Sequence, residues 1–281
     1  MIRQGPGYFL VSGDDGRIIR GATKTDSAME QNFVHRFTGR ATAYAASRPG
    51  YPDEILEILT AEIDFDQTKI VADIGSGTGL LSKLFLQNGN FVFGVEPNDE
   101  MRFFGEKSLA KFPKFASVNA TAEHTTLGDA TIDLVTVGQA LHWFDPEPAS
   151  GEFARILKTD GHLCVLYNDR DKNDAFMKDC DEVVRKHAKD RANVPEVNNH
   201  YLSKFFRDAE YSRFQVSNRQ LLDFEGLLGR MMSASYMPSP TNETRFSALK
   251  EDAGSLFKSY EKMGKVRLAY DTVIFLGRIQ I

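Results

Sequence analysis

Residues 71–83 read VADIGSGTGLLSK: an apolar run, three glycines within five positions, then a helical pattern. A strand that turns through glycines into a helix presents bare backbone and a helix N-terminus to one spot, the usual seat of a nucleotide-like cofactor. The chain around it keeps the rhythm such a site needs. Strand-like runs at 69–74, 90–95, 115–118, 132–137 and 162–167 are mostly separated by helix-like segments at 79–88, 98–111 and 147–158. Several of these runs are almost continuously apolar, as strands covered on both faces are. The expectation is an α/β fold, a doubly wound, Rossmann-like, mostly parallel sheet.

After Tyr167 the rhythm changes. A polar helix at about 172–190, a short helix at 199–207, a strand at 212–218, helices at about 222–233 and 245–263, and a strand at 271–279 follow. The last two strands are expected to close the sheet, with the helices between them as a cap. Ahead of the core, residues 9–20 alternate weakly around Gly-Asp-Asp-Gly, a hairpin signal. Phe33, Phe37, Ala41 and Tyr44 recur at helical spacing until Pro49-Gly50, and Pro52-Asp53 starts a second helix. We divide the chain into an N-terminal extension, 1–27, and a single domain, 28–281, with a lid at 28–52 and a cap at about 219–264.

Charge excludes some partners. Lys plus Arg number 34 against 39 Asp plus Glu, a net charge of −5, and no basic stripe stands out, which disfavours nucleic acid. The longest apolar runs are strand-sized, so no membrane span is expected, and the N-terminal apolar run is too short for a secretory signal. Cys164 lies in the apolar run HLCVLY, and neither it nor Cys180 has metal-like spacing. A reduced, cytoplasmic protein, monomer or homodimer, with a small-molecule partner and no metal is the expectation.

Gly75, Gly77 and Gly79 form G-x-G-x-G. The dinucleotide fingerprint needs glycine at 80, where this chain has Leu80, and a phosphate loop would end in Gly-Lys-Ser/Thr. Asp73, two residues before the first glycine, would repel a pyrophosphate and suits a cationic group; its alternative role is to cap the turn. Glu96 ends the second strand 21 residues after Gly75, where a carboxylate can accept from a ribose diol. Ala122 and Glu123 follow the third strand, placed to flank an adenine ring, though Glu123 reads equally well as a surface residue.

The segments VADIGSGTG, GVEPNDEM, ATAEHTTL, IDLVTVGQALHWFD and ARILKTDGHLCVLYNDRD occur in this order and at spacings that resemble the class I S-adenosylmethionine-dependent methyltransferases. They look like the small-molecule branch that includes the trans-aconitate methyltransferase-like enzymes. The resemblance runs from about Phe33 to the C-terminus. It implies a seven-stranded sheet with an antiparallel last strand, and S-adenosyl-L-methionine as cofactor. Residue by residue, it implies that Asp73, Gly75, Ser76, Gly77 and Gly79 hold the amino-acid end, with Asp73 near the ammonium. Glu96 would bind the ribose, Pro97 and Met101 the adenosine, Thr121, Ala122 and Glu123 the adenine edge, and Gln139 and Ala140 the methionine chain. FTGRATAYAASRPGYP resembles a lid helix that places Tyr44 and Arg48 over the cofactor. Lys158-Thr159-Asp160-Gly161 stands where the family often has Lys-Pro-Gly-Gly, a departure in turn chemistry.

His142 follows the fourth strand, where active sites of open α/β sheets gather, and its ordinary pKa suits a general base. Its competing role, with Trp143, is to wall the pocket. Asn168 and Arg170, after the fifth strand, are divided between substrate contact and loop scaffold, and Arg48 or Arg170 would clamp a carboxylate acceptor. Asp133, at the start of its strand, reads as structural. Met231, Met232, Tyr236 and Met237 read first as core and second as an adaptable substrate wall, Tyr236 being the substrate candidate. The expected function is methyl transfer to an O, N or C nucleophile of a small molecule, by in-line displacement without metal. The alternatives are a non-catalytic S-adenosylmethionine-binding scaffold and, against Leu80 and Asp73, a nicotinamide-dependent oxidoreductase.

Overall fold

A computed structural model describes residues 10–12, 18–20, 48–188, 199–207, 210–233, 237–238 and 242–279. Strands β1 (Leu10–Ser12) and β2 (Ile18–Arg20) pair antiparallel, the hairpin expected at 9–20. The main sheet has seven strands: β3 (Ile70–Ile74), β4 (Phe91–Val95), β5 (Phe115–Val118), β6 (Ile132–Gly138), β7 (Leu157–Arg170), β8 (Tyr211–Leu222) and β9 (Val266–Gly277), in the order β5-β4-β3-β6-β7-β9-β8. Strands β3 to β7 run parallel, and β9 inserts antiparallel between β7 and β8. The sequence winds outward from β3 through β4 to β5, then returns to β6 on the other side. That reversal leaves a crevice at the carboxyl ends of β3 and β6, the standard ligand position in such sheets.

Alternation along the strands divides the core. Val71 and Leu134 face helices α1 (Glu54–Ile63) and α2 (Leu80–Asn88), burying Ile55, Leu59, Leu84 and Phe85. Their neighbours Ala72 and Val135 face the other way, with α4 (Pro146–Ile156) and α6 (Asn199–Phe206) covering them through Phe153, Phe205 and Phe206. Each such fully buried side chain contributes about 1.5–3 kcal/mol. Helix α3 (Asp99–Leu109) follows β4, its first turn capped by Asn98, whose side chain accepts from Met101 N. A third cluster lies apart: α5 (Ala175–His187), α7 (Phe224–Met232) and α8 (Glu243–Tyr260) pack on the start of β9 through Cys180, Leu228, Met231, Leu249 and Leu268.

Three sequence expectations shift. Lys158-Thr159-Asp160-Gly161 is no separate turn; it lies inside β7, which begins at Leu157, and the register slips between Ile132 and Leu134 to accommodate it. Helix α8 ends at Tyr260 rather than 263, because a Lys262–Lys265 turn with Met263 and Gly264 at φ +53° and +72° reverses the chain. Strand β9 therefore starts at Val266, earlier than 271. Asp133 is structural: it accepts from Ile70 N at 2.8 Å and from Lys158 Nζ at 2.9 Å, at the opposite end of the strand from the crevice. Both cysteines are buried and free.

Candidate cofactor cleft at the carboxyl ends of the central strands

The glycine turn between β3 and α2 is shaped for close approach. Gly75 and Gly77 have φ of +68° and +56°, a region that side chains disfavour. A Cβ on Gly75 would lie 2.7 Å from Ala140 Cβ, and one on Gly77 would lie 3.2 Å from Met101 Cε. Gly75 N and Ser76 N donate to Val95 O at 2.9 and 3.1 Å, tying the turn to the end of β4. Ala140 and Met101 thus pack beneath the turn.

Two buried carboxylates flank it. Glu96 accepts from Gly77 N through Oε2 and from Asn98 N through Oε1, both at 2.9 Å. Burial raises its pKa, and these two backbone bonds oppose the rise. Each carboxylate oxygen can accept twice, so Glu96 braces the glycine turn while keeping acceptor capacity for a diol. Asp73 is 1% exposed. It accepts from Ser82 Oγ at 2.6 Å and Thr136 Oγ1 at 3.2 Å. Burial pushes its pKa up to about 7, with the two hydroxyls opposing. An arriving cation would restore its charge.

The segment 48–51 roofs the crevice. Gly50 O accepts from Asn218 Nδ2 at 2.9 Å and Asn168 Nδ2 at 3.3 Å. Asn168 Oδ1 in turn accepts from Thr272 Oγ1 at 2.6 Å and Asn218 Nδ2 at 3.1 Å. Gln139, held at φ +60°, donates from Nε2 to Asn168 O at 3.3 Å. Side chains from β7 and β8 therefore converge on one carbonyl of the roof, and Thr272 of β9 and Gln139, just after β6, brace Asn168 from behind.

The cleft is lined by Arg48 and Tyr51 above, Asp73, the 75–78 turn and Leu80 below, and Gln139, Asn168 and Arg230 at the side. Of the residues named from the sequence, Asp73, Gly75, Ser76, Gly77, Gln139, Asn168 and Arg48 meet here. Gly79 starts α2. Ala122 is buried, Pro97 half-buried and Thr121 exposed, while Glu123 accepts from Asp145 N at 3.0 Å.

Other expectations do not converge on the cleft. Arg170 is turned to α5, its Nη1 2.9 Å from Asp181 Oδ1, so the carboxylate clamp expected of it is spent on an internal ion pair. His142 and Trp143 sit on a 3-10 turn, Leu141–Trp143, their rings 4.5 Å apart, and neither is among the lining residues. Met231 and Met237 are core. Tyr44 and Tyr236 lie outside the described residues.

Sequence reasoning missed Tyr51, Thr78, Asn218, Thr272 and Arg230. Thr78 and Tyr51 carried a signal, the first inside the glycine motif and the second in the RPGYP end of the lid-like stretch; the others belong to segments whose pattern reports only strand or helix. The Thr78 hydroxyl is buried in the cleft lining without a hydrogen-bond partner among the described residues. A buried orphan hydroxyl is costly unless a ligand satisfies it. With the bare glycine backbone and the Glu96 carboxylate, it makes the site fit a polar, nucleoside-bearing cofactor.

Comparison with known proteins decides which. A methyltransferase domain model matches residues 72–165. An uncharacterised methyltransferase of Mycobacterium tuberculosis is 32% identical over 216 residues, 76% of this chain and 82% of that protein. The chain belongs to the class I S-adenosylmethionine-dependent methyltransferases. S-adenosyl-L-methionine is its cofactor and methyl transfer its activity. An uncharacterised methyltransferase-like protein of Schizosaccharomyces pombe is 28% identical over 254 residues, 88% of this chain and 96% of that one. Among solved structures, a putative type II methyltransferase from Anaeromyxobacter dehalogenans aligns with a TM-score of 0.61 at 19% identity, covering 83% of this methyltransferase and 98% of that chain. The [4+2]-cyclase SpnF shares the fold with a TM-score of 0.53 at 12% identity, covering 90% and 97%. Fold alone therefore does not fix chemistry.

Proposed function

We propose that this methyltransferase acts on a small molecule held between the glycine turn and a cap at about 219–264, under a roof at 48–52; the rest of the lid expected at 28–52 lies outside the described residues. The observation that carries the reading is the tied roof. A cleft lined by Arg48, Tyr51, the glycine turn, Gln139 and Arg230 lies under a carbonyl held by two asparagine side chains. Such a roof favours a compact acceptor over a polymer segment.

When bound, the cofactor supplies an already activated methyl group on a sulfonium. The protein's own task is to bind, align and exclude water. In the proposed arrangement Glu96 accepts the ribose hydroxyls. Asp73 faces the ammonium, and the 75–78 backbone with the Thr78 hydroxyl holds the amino-acid end. Gln139 and the Asn168–Asn218–Thr272 network fix the wall on which the acceptor rests. Alignment of donor and acceptor contributes about 7–11 kcal/mol of barrier lowering when geometry is good. His142 lies outside the lining, so the reading places catalysis in alignment rather than in a general base.

Two measurements test it. Calorimetry with S-adenosylhomocysteine should show binding, and labelled S-adenosylmethionine should transfer methyl to members of a metabolite panel. Transfer to protein or nucleic acid, with none to any compound of low mass, would sink the small-molecule reading.

A further inference from the structure

Arg230 projects from α7 into the wall of the cleft and is only 8% exposed. Its Nε donates to Tyr270 Oη at 3.1 Å and its Nη1 to Ser233 Oγ at 3.4 Å. The Ser233 hydroxyl is itself fixed, donating back to Arg230 O at 2.7 Å. A guanidinium carries five N–H donors; these two bonds leave three. Among the described residues no carboxylate pairs with it, whereas Arg102, Arg155, Arg170, Arg185 and Arg267 all have acidic partners. A buried cation without a counter-charge is strongly unfavourable. Fixing it there with Tyr270 and Ser233 is the arrangement expected of a site built to receive an anion as a fork.

Charge balance indicates whose anion it is. The cofactor is cationic overall, with a sulfonium and an ammonium against one carboxylate. Among the described residues, Asp73 is the acidic side chain lining the cleft, with Glu96 beside it at the glycine turn, and Arg48 is a second lining cation. Bound cofactor, with one net positive charge, together with Arg48 and Arg230 outweighs Asp73 and Glu96 by one charge, so the ternary complex lacks a negative charge that an acceptor can bring. Arg230 also comes from the cap, the part set between the last two strands of the sheet, whereas the glycine turn serves the cofactor.

Resting on the small-molecule reading, we propose that Arg230 is the specificity residue for the methyl acceptor and that the acceptor carries a carboxylate, which its guanidinium receives. The full chain, loaded with S-adenosylhomocysteine, is probed by ligand-observed NMR with a set of small aliphatic, hydroxylated and aromatic carboxylic acids and their matched primary amides. Acids should bind and their amides bind about tenfold or more weakly, because an amide leaves the cation unpaired. Arg230→Met should abolish acid binding while the S-adenosylhomocysteine affinity stays within about threefold, and Arg230→Lys should retain part of it.

Failure of every acid to bind the wild-type complex overturns the proposal, as does equal binding of acids and amides, a comparison that needs no variant. Unchanged acid binding in Arg230→Met overturns it too. Weakened binding of S-adenosylhomocysteine in Arg230→Met, with 5′-methylthioadenosine unaffected, would assign Arg230 to the cofactor's own carboxylate and overturn it. A wild-type protein that binds no S-adenosylhomocysteine fails the underlying reading instead, and the two failures are thereby told apart.

Discussion

Asp73→Asn should stabilise the ligand-free protein at neutral pH while weakening its hold on the cofactor. Asp73 is 1% exposed, and burial pushes its pKa from 3.8 up to about 7. A carboxyl with a folded-state pKa above its unfolded value contributes stability that is complete below about 3.8 and is lost as pH rises to about 7. The full loss is the 3.2-unit difference at about 1.36 kcal/mol per unit, about 4 kcal/mol. Asparagine does not titrate, so the stability difference between variant and wild type should grow by about 2 kcal/mol from about pH 5 to pH 7 and level off just above pH 7. Its offset is set by how Ser82 and Thr136 rearrange around the amide. Urea unfolding of the ligand-free proteins at several pH values measures this directly. In parallel, calorimetry should show S-adenosylhomocysteine binding weakened about tenfold or more, since the ammonium loses its counter-charge. For the wild type, affinity should rise with pH up to about 7, with proton release on binding below it. A stability difference that does not change with pH would refute the assignment of a buried, neutralised Asp73.

Gly75→Ala should retain the fold but bind cofactor about tenfold or more weakly by calorimetry, because its Cβ meets Ala140 at 2.7 Å and its φ is +68°. Glu96→Gln offers one acceptor oxygen where two backbone N–H groups converge, so S-adenosylhomocysteine affinity should fall about 10- to 100-fold, and an unchanged Kd would dismiss the bracing role. Asn218→Ala removes the shorter tie to Gly50 O; with an active acceptor in hand, KM should rise about tenfold while the melting temperature moves by only a few degrees.

The glycine turn was legible because local sequence alone fixes a strand, a tight turn and a helix start. Glu96 was legible for a related reason: one helix and one strand of ordinary length carry the chain back to the same end of the sheet. Its second job, bracing Gly77 and Asn98, could not be read from spacing. Arg170 shows the opposite outcome, since strand β7 continues to that residue and aims its side chain at Asp181 on α5. No periodicity reports which of two neighbouring elements an arginine will face. The shifted ends of α8 and β9 have a similar origin, because the helical pattern runs past Tyr260 and only the backbone reversal at Met263-Gly264 stops it.

By itself the sequence determined the sheet's alternation, the G-x-G-x-G turn with Asp73 before it and Glu96 beyond it, and through these the cofactor class. Those features are local, or separated by one regular element, so pattern and chain geometry suffice. Only the tertiary structure decided the roof and side wall of the cleft. Gly50, Asn168, Asn218 and Thr272 meet across separations of 118 and 168 residues from roof to wall. Arg230 reaches the same cleft because β9 turns back between β7 and β8 and sets Tyr270 behind its guanidinium. Such contacts arise from the closing of the sheet, and no single segment carries their signal.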